Sequence, residues 1–263
     1  MAETLLRDWS YTPDADLGTR ADDIRWMVRS IGLPVGPREW RHNRSGRYTA
    51  VSCLGAATAS LEHVGGSLSG CRVAIEGFGQ VGSALAELLH GHGATLVAVS
   101  TSRGAIYHPR GLDVPRLLQL VTEAGSAVVE RYADADRLDR GALLELPVDL
   151  LCPCARYHSI HSGNAERVAA RVVCPGANDP VHPRAEAVLY RCGIVCVPDF
   201  ITNSGGVLGG TLELTGVRPR RLVSTPVTRA LKTDLFDEAS TGDGLCRLLA
   251  TRGAPSSASM SRC

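Results

Sequence analysis

Gly77-Phe78-Gly79-Gln80-Val81-Gly82 follows the apolar run Val73-Ala74-Ile75 and opens a segment of helical periodicity. A G-x-G-x-x-G hexapeptide recurs by chance in glycine-rich chains, and it gains meaning only with a strand before it, a helix after it and a second strand about 20 residues on. All three are present. Residues 71–76 form a short buried-strand pattern, residues 81–90 place Val81, Leu85, Leu88 and Leu89 at helical spacing, and residues 94–99 read as the next strand. In that setting Gly77 permits the tight turn, Gly79 lets the main chain approach a pyrophosphate, and Gly82 lets the helix lie close on the sheet. The amides of the helix start then face the phosphates. The stretch therefore reads as a dinucleotide cradle, with Gly77, Phe78, Gly79, Gln80, Val81 and Gly82 as the candidate cofactor contacts.

Outward from the cradle, further strands are expected at residues 148–154, 171–174 and 193–197, and helices at 113–122, 137–145, 164–170 and 184–191. This alternation predicts an α/β fold, a doubly wound parallel sheet of Rossmann type with helices on both faces. Strands this apolar are buried on both sides. The cofactor domain is placed at residues 66–210, with Gly65-Gly66 as the break before it. Residues 1–65 and 211–263 form short helical flanks. The first holds a short helix at 20–29 and a better one at 50–63; the second is a helical or loose segment ending in the small, polar residues 253–263.

With 28 basic and 27 acidic residues among 263, the chain has no electrostatic footprint for nucleic acid, and no apolar run suggests a membrane span. A small molecule is the expected partner. Residues 1–10 lack the apolar core of a secretory signal, so nine cysteines point to free thiols in a reducing compartment, the cytoplasm. Lys232 is the only lysine, which leaves one candidate for any chemistry that needs an amine.

Several segments together resemble the glutamate/leucine/phenylalanine/valine dehydrogenase family. Arg72-Val73-Ala74-Ile75-Glu76 with the glycine hexapeptide is similar to its cofactor fingerprint. Gly176-Ala177-Asn178-Asp179-Pro180 resembles its second glycine-asparagine loop, and Val197-Pro198-Asp199-Phe200-Ile201-Thr202-Asn203-Ser204-Gly205-Gly206-Val207 the segment closing its cofactor domain. The likeness runs from about Tyr11 to Val207. It implies NAD or NADP as cofactor, an amino acid or 2-oxo acid as substrate, and Asn178 and Asn203 against the ribose and nicotinamide carboxamide. Pro13-Asp14-Ala15-Asp16-Leu17-Gly18-Thr19 is similar to the stretch bearing the family's catalytic aspartate, so Asp16 is the implied acid/base.

The departures matter equally. Family members carry a glycine-rich, lysine-bearing substrate domain ahead of this aspartate, whereas 15 residues precede Asp16 here and Lys232 matches neither family lysine. Residues 1–65 are thus expected to be a remnant of the substrate domain. Val51 stands where the family prefers a threonine. Thr101 ends the second strand where an acidic residue usually holds the adenosine ribose, and Arg103 lies close enough to accept a 2′-phosphate, so NAD and NADP both stay open. Three readings follow: a catalytic dehydrogenase, a non-catalytic nucleotide-binding or assembly module, and a fragment of a longer chain. A homo-oligomer or a partner chain is compatible with each.

Cys152-Pro153-Cys154-Ala155-Arg156-Tyr157-His158-Ser159-Ile160-His161 offers two thiols and two imidazoles within ten residues. Its C-x-C and H-x-x-H spacing is not a common zinc pattern. Apolar core cysteines with solvated histidines are expected instead, and no metal.

Overall fold

The computed structural model describes residues 21–32 and 44–214. In chain order the elements are α1 (Ala21–Ser30), α2 (Ser45–His63), β1 (Arg72–Glu76), α3 (Gln80–Gly91), β2 (Thr95–Thr101), β3 (Gly104–Tyr107), α4 (Val114–Ala124), α5 (Val128–Arg131), β4 (Asp136–Leu138), β5 (Leu150–Pro153), β6 (Val172–Val173), α6 (Pro183–Arg191), β7 (Val195–Cys196), α7 (Asp199–Thr202) and α8 (Gly205–Leu214). Local chemistry explains several boundaries. Asp113 caps α4 by accepting the Arg116 amide at 3.0 Å, with Pro115 in the first turn. His182 caps α6 through its ring nitrogen, and Pro183 follows it.

The strands form one seven-stranded sheet in the order β4-β3-β2-β1-β5-β6-β7. Strands β2, β1, β5, β6 and β7 run parallel, while β3 pairs antiparallel with both β2 and β4 and so alone runs against the rest. The doubly wound parallel sheet expected from the sequence is present, with one antiparallel strand, β3, near this edge. Only Ser102 and Arg103 separate β2 from β3, and a parallel return needs a crossover of a dozen or more residues, so the chain can only fold back as a hairpin. Two helix expectations fail for related reasons. Residues 137–145 begin in the edge strand β4, whose outer positions Asp136 and Arg137 are exposed and charged, and then make a single 3-10 turn at Ala142–Glu145. Residues 164–170 make only the 3-10 turn Ala165–Arg167, because the Asn164 side chain is spent on its own loop: Oδ1 accepts from the His161 amide at 2.7 Å and Nδ2 donates to the Ser159 carbonyl at 2.8 Å.

Two apolar layers cover the sheet. On one face Val73, Ile75, Leu96, Val99 and Cys152 pack under α2, α3, α4 and α5. On the other, Ala74, Val97, Leu151 and Val173 meet α6 and the two 3-10 turns, so this second layer is helical only in part. Helix α2 is buried on most of its circumference, and small residues such as Ala50, Cys53 and Ala57 let it sit close to its neighbours. Its partner α8 approaches even more closely. A Cβ at Gly205 would lie 2.0 Å from the Tyr48 carbonyl oxygen, and one at Gly209 would lie 2.2 Å from the Tyr48 ring. The Gly205 contact is with main chain, which no side-chain rotation relieves, and the Gly209 contact is with the Tyr48 side chain. We expect Gly205→Ala to lower the urea midpoint by the equivalent of about 1–3 kcal/mol or more, whereas Gly91→Ala, where a Cβ meets open space, leaves it nearly unchanged.

Candidate functional site

The glycine turn leaves β1 at the switch point of the sheet, where β2 lies on one side and β5 on the other. Gly77 has φ +92°, in the region that disfavours a Cβ, and a Cβ there would come within 2.7 Å of the Ala155 main chain. Gly82 is closed in more tightly: its Cβ would sit 2.0 Å from the Gly77 carbonyl oxygen. Gly79 is the opposite case, exposed, with nothing within 4 Å of a Cβ and with ordinary negative φ. The three glycines thus divide into two that close the fold and one that faces outward. Gly79 is also the N-cap of α3 and offers no side chain to it, so the first-turn amides of Gln80, Val81 and Gly82 have no intrahelical acceptor and point their partial positive charge outward. Phe78 contributes only main chain, because its side chain is buried in the core. Ser100 of β2, which the sequence reading missed, anchors the turn: its hydroxyl accepts the Gly77 amide at 3.1 Å and its carbonyl accepts the Phe78 amide at 2.7 Å.

The other two motif segments arrive at the same edge. A Cβ at Gly176 would strike Cys154 Sγ at 2.6 Å and Val81 Cγ1 at 3.0 Å, so the glycine-asparagine loop is wedged directly against the cradle. Asn203 Nδ2 then donates to Asn178 Oδ1 at 2.8 Å and to the Ala177 carbonyl at 3.2 Å. The Asp199 carboxylate accepts the Asp179 amide at 2.8 Å, tying the start of α7 to the same loop. Helix α2 joins through Ser52, whose hydroxyl donates to the Thr202 carbonyl at 2.6 Å and accepts the Gly205 amide at 3.0 Å. Val51 beside it is buried and carries no polar group. Gln80 and Asn178 are exposed, Val81 and Asn203 half-buried. Asp16 and Lys232 lie outside the described residues.

Beneath the cradle Glu76 is buried, and its Oε2 has no hydrogen-bond partner among the described residues. Burial raises its pKa above the ordinary carboxylate range, opposed in part by the Ser159 hydroxyl and by the charges of Arg156 and Arg140; Arg156 Nε stands 3.8 Å from Oε1. In the loop after β5, His158 (φ +49°) faces Asp179 (φ +45°), and these are the two non-glycine residues with positive φ among those described. The His158 amide donates to the Asp179 carbonyl at 3.0 Å, and Nε2 lies 3.4 Å from Asp179 Oδ2. His158 stacks on Tyr157 and meets the edge of His182, so the expectation of a solvated side chain is corrected for it. Cys152 is fully buried on the α2 side of the sheet, near Cys53 and Cys174, and burial raises all three thiols well above their usual range. Among the described residues, no three His, Cys, Asp or Glu side chains are grouped to hold a metal ion.

At the end of β2, the Thr101 hydroxyl donates to the Ser126 carbonyl at 2.7 Å and accepts the Arg103 amide at 3.1 Å. The Arg103 guanidinium is drawn to Glu130, with Nη1 at 3.3 Å from each carboxylate oxygen. Glu130 lies on α5, 29 residues after Thr101 in a segment with no motif, which is why the sequence reading did not include it.

The profile of the Glutamate/Leucine/Phenylalanine/Valine dehydrogenase family matches residues 42–235, which include all three converging segments. The chain belongs to this family. Among its relatives, the glutamate dehydrogenase of Thermotoga maritima is 37% identical over 221 residues, which are 78% of this chain and 52% of that one. The NADP-specific glutamate dehydrogenase A1 of Halobacterium salinarum is 39% identical over 245 residues, 86% of this chain and 57% of that one. This dehydrogenase-family chain therefore spans about half the length of the curated relatives it matches. Among solved structures, the leucine-bound hetero-hexameric glutamate dehydrogenase of Thermus thermophilus superposes with a TM-score of 0.72 at 26% identity, over 92% of this chain and 64% of that one. The L-tryptophan dehydrogenase of Nostoc punctiforme, at 22% identity and TM-score 0.62 over 91% and 66% of the two chains, shares the fold.

Two outcomes test this geometry. Gly82→Ala should lower the thermal midpoint markedly, and Gly79→Ala should leave it within about 1–2 °C, the scale of a neutral surface change. Glu76 ties stability to pH. Because its folded pKa is raised, the native state holds a proton that the unfolded chain has lost, so stability falls as pH rises through that window. Urea unfolding should find Glu76→Gln more stable than the parent at pH 7, with the gap vanishing below about pH 4, where the unfolded carboxylate is protonated too.

Proposed function

We propose that this chain is an NAD(P)-binding oxidoreductase of the amino-acid dehydrogenase type, carrying out oxidative deamination and its reverse, reductive amination. The observation that carries this reading is the convergence of Gly77–Gly82, Gly176–Asn178 and Asn203 at the switch point of the sheet, where α/β folds take their ligands. The donor set suits a dinucleotide. The outward amides of α3 match a pyrophosphate, the open face at Gly79 leaves room for it, and the paired Asn178 and Asn203 offer amide groups to a ribose and a carboxamide. When bound, the nicotinamide supplies the hydride acceptor. The protein's own part is to fix the dinucleotide through the glycine turn, held by Ser100, and through the asparagine loop, held by Asp199. Asp16 is proposed to exchange the proton on the substrate nitrogen and water. An amino acid or 2-oxo acid substrate, a cytoplasmic site of action and assembly into an oligomer belong to the same proposal, as does the division into residues 1–65, 66–210 and 211–263. No helix among the described residues is long and apolar enough to cross a membrane.

A second reading is favoured by Lys232 being the only lysine: a module that binds the nucleotide without turning over. The two readings part in one experiment. Reduced-nicotinamide absorbance is followed with each cofactor and a panel of amino acids, beside direct titration of NADH and NADPH by fluorescence. The enzyme reading expects binding and turnover, with Gly79→Ala weakening binding by about tenfold or more through a methyl placed where the pyrophosphate lies. Binding without turnover supports the module, and absence of binding in a folded protein removes both.

A further inference from the structure

We propose that Glu130 selects an unphosphorylated adenosine ribose, NAD(H) over NADP(H), and that Arg103 serves Glu130 rather than a 2′-phosphate. The inference rests on the nucleotide-binding reading above and decides what that reading left open. In a βαβ cofactor unit the end of the second strand lies beside the adenosine ribose, where a carboxylate accepts from the ribose hydroxyls or an arginine receives the extra phosphate. Thr101 occupies that strand end and supplies neither. Its hydroxyl is consumed internally, donating to the Ser126 carbonyl and accepting the Arg103 amide. That internal bonding holds the Gly125–Ala127 turn against the strand end and delivers the next helix turn, with Glu130, to the same place.

The charges there are already matched. Both carboxylate oxygens of Glu130 stand 3.3 Å from Arg103 Nη1, and both side chains are about half exposed, 50% and 53%, so the pair is open to an approaching hydroxyl donor. A second guanidinium, that of Arg137, donates to the main-chain carbonyls of Glu130 and Tyr132 at 2.8 and 3.3 Å, which fixes the backbone that carries Glu130. A 2′-phosphate arriving here would meet a carboxylate at short range and an arginine whose charge is compensated. A ribose with free hydroxyls would meet an acceptor. The carboxylate absent from β2 is thereby restored from α5.

The test is fluorescence titration of the full chain with NADH and NADPH, beside Glu130→Gln and Arg103→Ala. Both substitutions sit on a surface ion pair of small energetic weight, and thermal midpoints check that the fold is retained. The expected result is NADH bound at least about tenfold more tightly than NADPH, a preference that Glu130→Gln reduces severalfold by releasing Arg103 toward the phosphate. Arg103→Ala is expected to leave NADPH as weak as in the parent. Tighter NADPH than NADH binding by the parent, an unchanged ratio in Glu130→Gln, or a selective loss of NADPH affinity in Arg103→Ala would each overturn the inference. Failure of the parent to bind either nucleotide would instead sink the nucleotide-binding reading on which it stands.

Discussion

The contact on which the site depends is main chain against main chain: Gly82 lies over the Gly77 carbonyl so closely that a single methyl would sit 2.0 Å from its oxygen. That approach brings the first turn of α3 over the end of β1 and turns its amides outward. The same device recurs at Gly205 against the Tyr48 carbonyl, while Gly176 leaves room for the Cys154 and Val81 side chains and Gly209 for the Tyr48 ring. At each point the absence of a side chain, more than backbone freedom, brings two segments together. Gly79 differs in having nothing within 4 Å of a Cβ and an ordinary negative φ.

Around this frame, polar bonding is economical. Ser100 serves two amides of the turn, Asp199 one amide of the asparagine loop, and Ser52 a carbonyl and an amide at the junction of α7 and α8. The strain is local. His158 and Asp179, both in left-handed backbone conformations that cost roughly 1–3 kcal/mol each in other proteins, face each other across the two loops beside Asn178. Glu76 adds a buried carboxylate oxygen without a partner just under the cradle. Both left-handed non-glycine residues and two buried polar atoms without a hydrogen-bond partner among the described residues, Glu76 Oε2 and His158 Nε2, lie at this edge of the sheet, while the core includes wholly buried thiols at Cys53, Cys152 and Cys174.

The glycine hexapeptide, its flanking strand and helix, and the two asparagine loops were legible in the residues because each has a local signature: a short apolar run, a 3.6-residue period, a glycine at a fixed offset. Helices α3, α4 and α6 came out within a few residues of expectation for the same reason. The short strands β3 and β4 carry too few residues for a period, and the 137–145 and 164–170 segments looked helical because their apolar spacing does not show that Asn164 bonds its own loop or that the edge hairpin takes up Arg137.

The chain by itself determined that a dinucleotide-type turn exists, that its family motifs are present and that only one amine is available, since these follow from residue identity and spacing. Only the tertiary structure decided which side chains meet. Ser100, Ser52 and Glu130 became parts of the site through contacts across 23, 153 and 27 residues of sequence, distances over which neither periodicity nor motif carries information. It also decided that Arg103 is already paired, because the charge an arginine offers a ligand depends on which carboxylate the fold places beside it.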